Sequence, residues 1–231
     1  MCASGEPPLA QAEYCRKYHF ETVNLAEEYS KKFNIPTIIS EFGACFDSES
    51  CFHEISSLAD AADEKLTSWA YWMYKPFGDF TTSCPDDKEG IFNQDGSEQV
   101  WKIKALTRSY VQAFQGRGIS MKFDKENKSL KVELEADLSI TQPTLVYYNK
   151  ELNYKEGLRV FFDQKTYNSI DAKEVKVNFD DSEENILKIT MDNMNGKSVT
   201  KKNVKFLLVG KDSNLNVDLK KYRLVYDNQI R

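Results

Sequence analysis

A short apolar run that ends in a glutamate constrains the fold of this chain more than any other segment. Pro36 holds Ile35 in an extended conformation, and the β-branched run at residues 37–39 favours a strand that is buried on both faces. Glu41 follows at the carboxyl end of this predicted strand, with an aromatic residue and a glycine directly behind it. Because the carboxyl ends of the strands carry the chemistry in α/β barrels, Glu41 is the first candidate catalytic residue.

A second strand-like run, at residues 67–75, is rich in tryptophan and tyrosine. Helical periodicity precedes the first strand, at residues 8–33, and separates the two strands, at residues 53–63. A third helix is predicted from Glu98 to Gln115, closed by Gly116. The alternation of helices and strands is typical of a parallel α/β sheet, although two strands alone make neither a barrel nor a stable sheet.

The pattern changes beyond Gly118, where short alternating runs recur at a spacing of about 8–12 residues between polar turns. The predicted strands are Ile119–Phe123, Leu130–Leu134, Thr144–Tyr148, Leu158–Phe162, Val175–Phe179, Ile186–Met191, Val204–Val209 and Tyr222–Tyr226. This spacing favours a β-sandwich, with a small barrel as the alternative. We therefore predict an α/β domain at residues 1–117 and an all-β domain at residues 118–231.

The composition limits the classes of partner and cofactor. The 231 residues carry a formal net charge of −5 and no stripe of lysine or arginine, which argues against nucleic-acid binding. No apolar run approaches the roughly 20 residues of a membrane-spanning helix, and the N-terminus lacks the features of a signal peptide. We expect no metal and no cofactor, because the sequence has neither a ligand cluster with metal-binding spacing nor a glycine-rich phosphate loop.

The cysteines leave the redox compartment open. Their number is odd, and no two of them form a CxxC pair. Cys45 and Cys51 flank a short loop and would pair in an oxidising compartment, whereas free thiols in a reducing compartment are the alternative.

Four segments together resemble a known family. They are the strand end IISEFGA at residues 38–44, the strand SWAYWMYK at 68–75, the loop EGIF at 89–92 and the segment LTRSYVQAFQG at 106–116. The chain resembles the carboxyl-terminal quarter of glycoside hydrolase family 5, and within it the endoglycoceramidase branch. The resemblance is strong over residues 36–116 and rests on architecture alone beyond them. It implies the last quarter of a (β/α)8 barrel followed by a β-sandwich, and a retaining β-glycosidase with Glu41 as nucleophile.

The resemblance also implies motifs that this sequence does not contain. The family's acid/base glutamate belongs to an Asn-Glu-Pro motif, and a His-x-Tyr element is expected near the sixth strand. Neither occurs in the expected form here. We therefore expect that the chain starts after the sixth strand of the barrel and that it is inactive on its own.

The mechanism of a retaining glycosidase sets the requirements for Glu41 as nucleophile. Two carboxyl groups lie about 5–5.5 Å apart, one charged to attack the anomeric carbon and one protonated to release the aglycone. The nucleophile must stay ionised, so hydrogen bonds or a nearby cation must hold its pKa down. The alternative is that Glu41 is a strand-end glutamate in an ordinary ion pair.

Trp72 is the candidate substrate-binding residue. The family places a tryptophan at this strand end, where an indole face suits the C–H face of a sugar ring. Trp69 and Tyr71 share one parity in the strand, and Trp72 has the other. Trp69 is therefore predicted to pack against helices. Tyr74 and Lys75 are predicted to form a solvated rim, and the two histidines, His19 and His53, to be structural.

The predicted function is hydrolysis of a β-glycosidic bond, and the branch suggests a glycosphingolipid substrate cleaved between glycan and ceramide. A glucosylceramide or a steryl glucoside remains an alternative substrate. Peripheral contact with a membrane through the lipid is expected, and the predicted location is secreted or lysosomal/vacuolar. Two other functions stay open: a non-catalytic carbohydrate- or lipid-binding module, and an inactive truncated fragment.

Overall fold

The computed structural model describes residues 7–74, 89–170, 174–194 and 200–228. The chain divides into two compact units between Thr107 and Arg108. The sequence had suggested a boundary at residues 117/118, which falls inside a strand, Gly116–Asp124. The error arises from the third predicted helix, because that helix ends at Leu106 and residues 110–113 form a strand instead.

Over its described residues, the first unit contains a 3-10 turn, three α-helices and two very short strands. They are a 3-10 turn at Leu9–Gln11, α1 at Ala12–Phe33, β1 at Ile38–Ile39, α2 at Glu49–Glu64, β2 at Ser68–Trp69 and α3 at Val100–Leu106. Helix α1 ends at Asn34, which adopts the left-handed conformation typical of a helix C-cap. Helix α2 begins at Ser48, whose hydroxyl accepts a hydrogen bond from the backbone N–H of Cys51 at 3.1 Å.

Strands β1 and β2 pair in parallel, as the alternation of elements predicts. The pairing continues past both strands, because the N–H of Ala70 donates to the carbonyl of Ile39 at 3.0 Å. The expectation that β1 is buried on both faces is wrong, since Ile38 is 64% exposed. Within the described part of the chain these two strands form a sheet by themselves, so no further strand covers Ile38.

The core of the first unit lies where α2 and α3 meet the strand ends. Its buried residues are Cys45, Cys51, Phe52, Ile55 and Ala105, with Phe42, Tyr71, Trp101 and Leu106 packed against them. Helix α1 contacts α2 through two polar pairs. Arg16 binds Asp60 at 2.7 Å, and the buried His19 binds Glu54 at 2.7 Å.

In the described parts of residues 108–231, the second unit has nine strands and one short helix. They are β3 at Tyr110–Ala113, β4 at Gly116–Asp124, β5 at Ser129–Asp137, β6 at Thr144–Tyr147, β7 at Leu158–Asp163, α4 at Gln164–Ser169, β8 at Val175–Asp180, β9 at Ile186–Asn193, β10 at Lys201–Gly210 and β11 at Tyr222–Asp227. The eight strands predicted from the sequence are all confirmed, and β3 is the addition.

The nine strands form two antiparallel sheets. One has the order β11-β7-β10-β5-β4, and the other has the order β3-β6-β9-β8. The sheets touch through their apolar faces: the ring of Phe162 in β7 lies 6.4 Å from that of Phe179 in β8. Gln115 lies buried between β3 and β4, and its side chain bonds both the N–H and the carbonyl of Met191 in β9 at 2.8 Å.

Among the helices of the described segments, none is long and apolar enough to cross a membrane.

Candidate active site

The two predicted site residues lie at the ends of neighbouring strands. Glu41 follows β1 and Trp72 follows β2, and the segments that carry them are joined by backbone hydrogen bonds. The N–H of Trp72 donates to the carbonyl of Phe42 at 2.9 Å. Trp72 also forms a parallel bridge with Gly43. The parallel pairing therefore brings a carboxylate and an indole to the same edge of the sheet.

Gly43 makes this close approach sterically feasible. Its φ of +144° is rare for residues with a side chain, and a Cβ atom placed on it would lie 2.3 Å from the carbonyl oxygen of Trp72. The same Cβ would lie 2.9 Å from the ring of Tyr71. The glycine that follows Glu41 by two positions is thus required by the path of the second strand.

Glu41 is exposed and lines a cavity of about 260 Å³. The cavity wall includes Ile39 and Phe42 from the strand end, and the bonded pair His19 and Glu54 from α1 and α2, of which His19 is buried. His19, which is predicted to be structural, is held by its bond to Glu54. Its place in the same cavity wall as Glu41 was not predicted, because no sequence pattern links residues on two different helices.

The aromatic residues of the second strand lie as the alternation predicts. The rings of Trp69 and Tyr71 both meet the ring of Phe42 edge-on, with centroids 5.5 and 5.6 Å away. Trp72 has the opposite parity and is 41% exposed. The Trp72–Met73 peptide bond is cis. Trp69 and Tyr71 therefore pack towards Phe42, whereas the indole of Trp72 remains accessible to a ligand.

Two carboxylates, Glu89 and Asp47, act on Tyr71, and Glu89 also bonds Trp72. Neither is predicted from the sequence to be part of the site. The indole Nε1 of Trp72 donates to Oε2 of Glu89 at 3.0 Å. Burial raises the pKa of the Tyr71 hydroxyl, and the negative charges of Glu89 and Asp47 raise it further. The Tyr71 hydroxyl is buried and has no hydrogen-bond partner among the described residues. It therefore stays protonated at any physiological pH.

The loop after Glu41 is fixed by a covalent and a polar link. Cys45 and Cys51 form a disulfide, which settles the alternatives for this pair, and Cys15 is disulfide-bonded as well. Within the loop, Oδ1 of Asp47 accepts hydrogen bonds from the N–H groups of Trp101 and Lys102 at 2.8 and 3.2 Å. Asp47 thereby satisfies two of the N–H groups at the start of α3 that have no partner within the helix.

No group of three or more metal-binding side chains occurs in the segments that the structure describes. Tyr74 is exposed, and its ring meets that of Phe92 edge-on at 5.3 Å. Lys75, which was predicted to lie on the same rim, is outside the described residues.

The chain is similar to several known proteins. Residues 108–200 match the C-terminal domain of glycoside hydrolase family 5. An endoglycoceramidase of Cyanea nozakii is 26% identical over 173 residues, which is 73% of this chain and 33% of that protein. An endoglycoceramidase of Hydra vulgaris is 31% identical over 157 residues, which is 67% of this chain and 27% of that protein.

Among solved structures, endo-glycoceramidase II from Rhodococcus sp. in a cellobiose-like isofagomine complex superposes with a TM-score of 0.60 and 18% identity. The match covers 91% of this chain and 40% of that protein, and it establishes similarity of fold alone. Other structures of the same enzyme are described as a ganglioside GM3 complex and a lactosyl-enzyme intermediate.

These matches show that the chain belongs to glycoside hydrolase family 5. Within that family, the chain belongs to the endoglycoceramidase-like group. It spans between about a quarter and a third of the length of the endoglycoceramidase relatives that it matches.

Proposed function

We propose that the chain contributes the nucleophile and a sugar-binding surface to a retaining β-glycosidase. Glu41 is the nucleophile, and Trp72 stacks on the sugar next to the cleaved bond. The observation that carries this proposal is the parallel pairing of the two strand ends, in which Trp72 N–H bonds the carbonyl of the residue after Glu41. The lactosyl-enzyme intermediate of the Rhodococcus endo-glycoceramidase II supports a covalent mechanism.

The proposed reaction has two steps. In the first, a carboxylate oxygen of Glu41 forms a bond to the anomeric carbon while the bond from that carbon to the aglycone oxygen breaks. The departing oxygen takes a proton from a second carboxyl group. In the second step, water attacks the anomeric carbon and gives its proton to that second group, and the bond to Glu41 breaks. The second carboxyl group is proposed to lie outside these 231 residues, since the sequence has no Asn-Glu-Pro motif.

The proposed architecture of the chain is the end of a (β/α)8 barrel followed by a β-sandwich, as in the family that it resembles. The first unit corresponds to the last two strands and the last three helices of a (β/α)8 barrel, and the second to a β-sandwich. The parallel pairing of β1 and β2, with α2 between them in sequence, supports the first part. The two antiparallel sheets with touching apolar faces support the second.

The proposed substrate class is a glycosphingolipid, cleaved between glycan and ceramide. Support comes from the endoglycoceramidase relatives and from the ganglioside complex of the Rhodococcus enzyme. Such a substrate would bring the protein into peripheral contact with a membrane. We further propose that the protein is secreted or lysosomal/vacuolar, because disulfides such as Cys45–Cys51 persist in oxidising compartments.

A chimeric enzyme tests this function. The part of the Hydra relative that corresponds to this chain is replaced by the whole chain, Glu41 included. Hydrolysis of a GM3-type ganglioside and of a steryl glucoside is then followed by proton NMR. We expect release of the ganglioside glycan with retained β configuration, and a loss of turnover by several orders of magnitude in the Glu41→Gln chimera.

Two results would contradict the proposal. One is release of the inverted sugar. The other is a chimera that melts near the temperature of its parent but hydrolyses neither substrate. Selective cleavage of the steryl glucoside would leave the mechanism intact and exclude the glycosphingolipid as substrate.

A further inference from the structure

The carboxylate of Glu89 accepts a hydrogen bond from the indole of Trp72, which is the proposed sugar platform. The side chain of Trp72 carries a single hydrogen-bond donor, Nε1–H, and that donor bonds Oε2 of Glu89 at 3.0 Å. We propose that Glu89 is a positioning residue, which holds the indole of Trp72 at the angle that sugar stacking requires. This inference rests on the proposed role of Trp72 as the sugar platform.

The backbone around Glu89 is tied to the same strand end. The N–H of Met73 donates to the carbonyl of Glu89 at 2.8 Å, and the N–H of Ile91 donates to the carbonyl of Tyr74 at 3.2 Å. The segment Glu89–Phe92 therefore runs beside the residues that follow β2. The side chain of Glu89 reaches Trp72 from a backbone that is already fixed to it.

Helix α3 holds the Glu89–Phe92 segment from the other side. Lys102 is fully buried, and its Nζ donates to the carbonyl of Gly90 at 3.0 Å. Gln99, which is also buried, donates its backbone N–H to the carbonyl of Ile91 at 2.9 Å. A charged ammonium group is costly to bury unless it is hydrogen-bonded. This bond and that of Gln99 tie the Glu89–Phe92 segment to the start of α3.

Fixing the indole matters because stacking depends on the orientation of the ring. An unrestrained tryptophan with 41% exposure samples several rotamers, and a sugar would have to select one of them. A hydrogen bond to a carboxylate is stronger than one between neutral groups, so it favours a single rotamer before the sugar arrives. The predicted consequence is tighter sugar binding without any contact between Glu89 and the sugar.

The test uses the full chain labelled with ¹⁵N-tryptophan at low protein concentration. Its three tryptophans give three indole N–H signals, and Trp72→Phe assigns the one that belongs to Trp72. Cellobiose serves as the sugar probe. The variants are Glu89→Ala, which removes the acceptor, and Glu89→Gln, which keeps an acceptor oxygen. Glu98→Ala removes an exposed carboxylate of the neighbouring segment and is the matched control.

We expect Glu89→Ala to shift and broaden the Trp72 signal, to leave those of Trp69 and Trp101 in place, and to weaken cellobiose binding by about threefold to tenfold. Glu89→Gln should restore most of the affinity, and Glu98→Ala should change neither quantity. If cellobiose shifts the Trp72 signal but Glu89→Ala alters neither that signal nor the affinity, the inference is wrong and the proposed function stands. If Glu89→Ala shifts the signal but cellobiose does not, the platform role of Trp72 fails and the inference fails with it.

Discussion

At the scale of single residues, Gly43 is the position where the candidate site tolerates least change. A Cβ atom there would lie 2.3 Å from the Trp72 carbonyl oxygen, in addition to the cost of a positive φ. We expect Gly43→Ala to lower the free energy of unfolding of the first unit by more than about 2 kcal/mol. Urea denaturation followed by tryptophan fluorescence measures it, because all three tryptophans lie between residues 69 and 101.

Gly96→Ala is the control for Gly43→Ala. Gly96 also has a positive φ, of +82°, but nothing lies within 4 Å of an added Cβ. Gly96→Ala introduces backbone strain without a clash, so it should lower the free energy of unfolding by about 1 kcal/mol. Equal costs for the two substitutions would show that the close approach of the strand ends is not what requires Gly43.

The two tryptophans of the second strand should respond differently to truncation. Trp72→Ala should lower the turnover of the chimeric enzyme by more than its loss of stability explains, because stacking is lost at the reacting sugar. Trp69→Ala should instead cost about 2 kcal/mol of stability, less than for a fully buried aromatic residue, because Trp69 is only half-buried against Phe42. Turnover and melting temperature of both chimeric variants check this. A stable, inactive Trp69 variant beside an active Trp72 variant would reverse the assignment.

At the scale of elements, α3 begins where Asp47 accepts two backbone N–H groups. We expect Asp47→Ala to destabilise the first unit by about 1 kcal/mol, because these groups lose their partner at the helix start. Asp47→Asn keeps an oxygen acceptor and should cost less. Urea denaturation with tryptophan fluorescence measures both. Equal stability of the wild type and the alanine variant would show that the loop does not hold the helix.

The elements also show what the sequence could predict and what it could not. The eight predicted strands of the second unit are correct because alternation with polar turns is a local signal. Val111 and Phe114 continue the helical spacing of α3, so the local pattern predicts a helix where residues 110–113 form a strand. Pairing with β6 overrides that local pattern. The Glu89–Trp72 and His19–Glu54 contacts join distant segments, so no spacing in the sequence signals them.

At the scale of the whole molecule, the two units differ in how well they cover their apolar side chains. Tyr14, Tyr18, Leu25 and Tyr29 are exposed at helical spacing and form one stripe along α1, and Ile38 is exposed on β1. Contiguous exposed apolar surface of this kind binds apolar dyes and promotes association. We expect the full chain to bind such a dye and to self-associate as its concentration rises.

Two shorter chains separate the contribution of each unit. Residues 108–231 should stay monomeric, bind little dye and unfold cooperatively. Residues 119–231 should be much less stable, because they lack β3, Gln115 and the start of β4. Dye fluorescence, sedimentation and thermal unfolding check this. A monomeric full chain without dye binding, or a 119–231 chain as stable as 108–231, would contradict this division of the molecule.

The central claim is that Glu41 is the nucleophile, and covalent labelling tests it most directly. A 2-deoxy-2-fluoro-β-glucosyl fluoride needs no acid to release fluoride, so the nucleophile alone should suffice for the first step. We predict that the full chain gains the mass of one fluoroglucosyl group, that peptide mapping places it on Glu41, and that Glu41→Gln gains none. A label on another residue would contradict the claim, as would no label on a chain whose Trp72 signal responds to cellobiose.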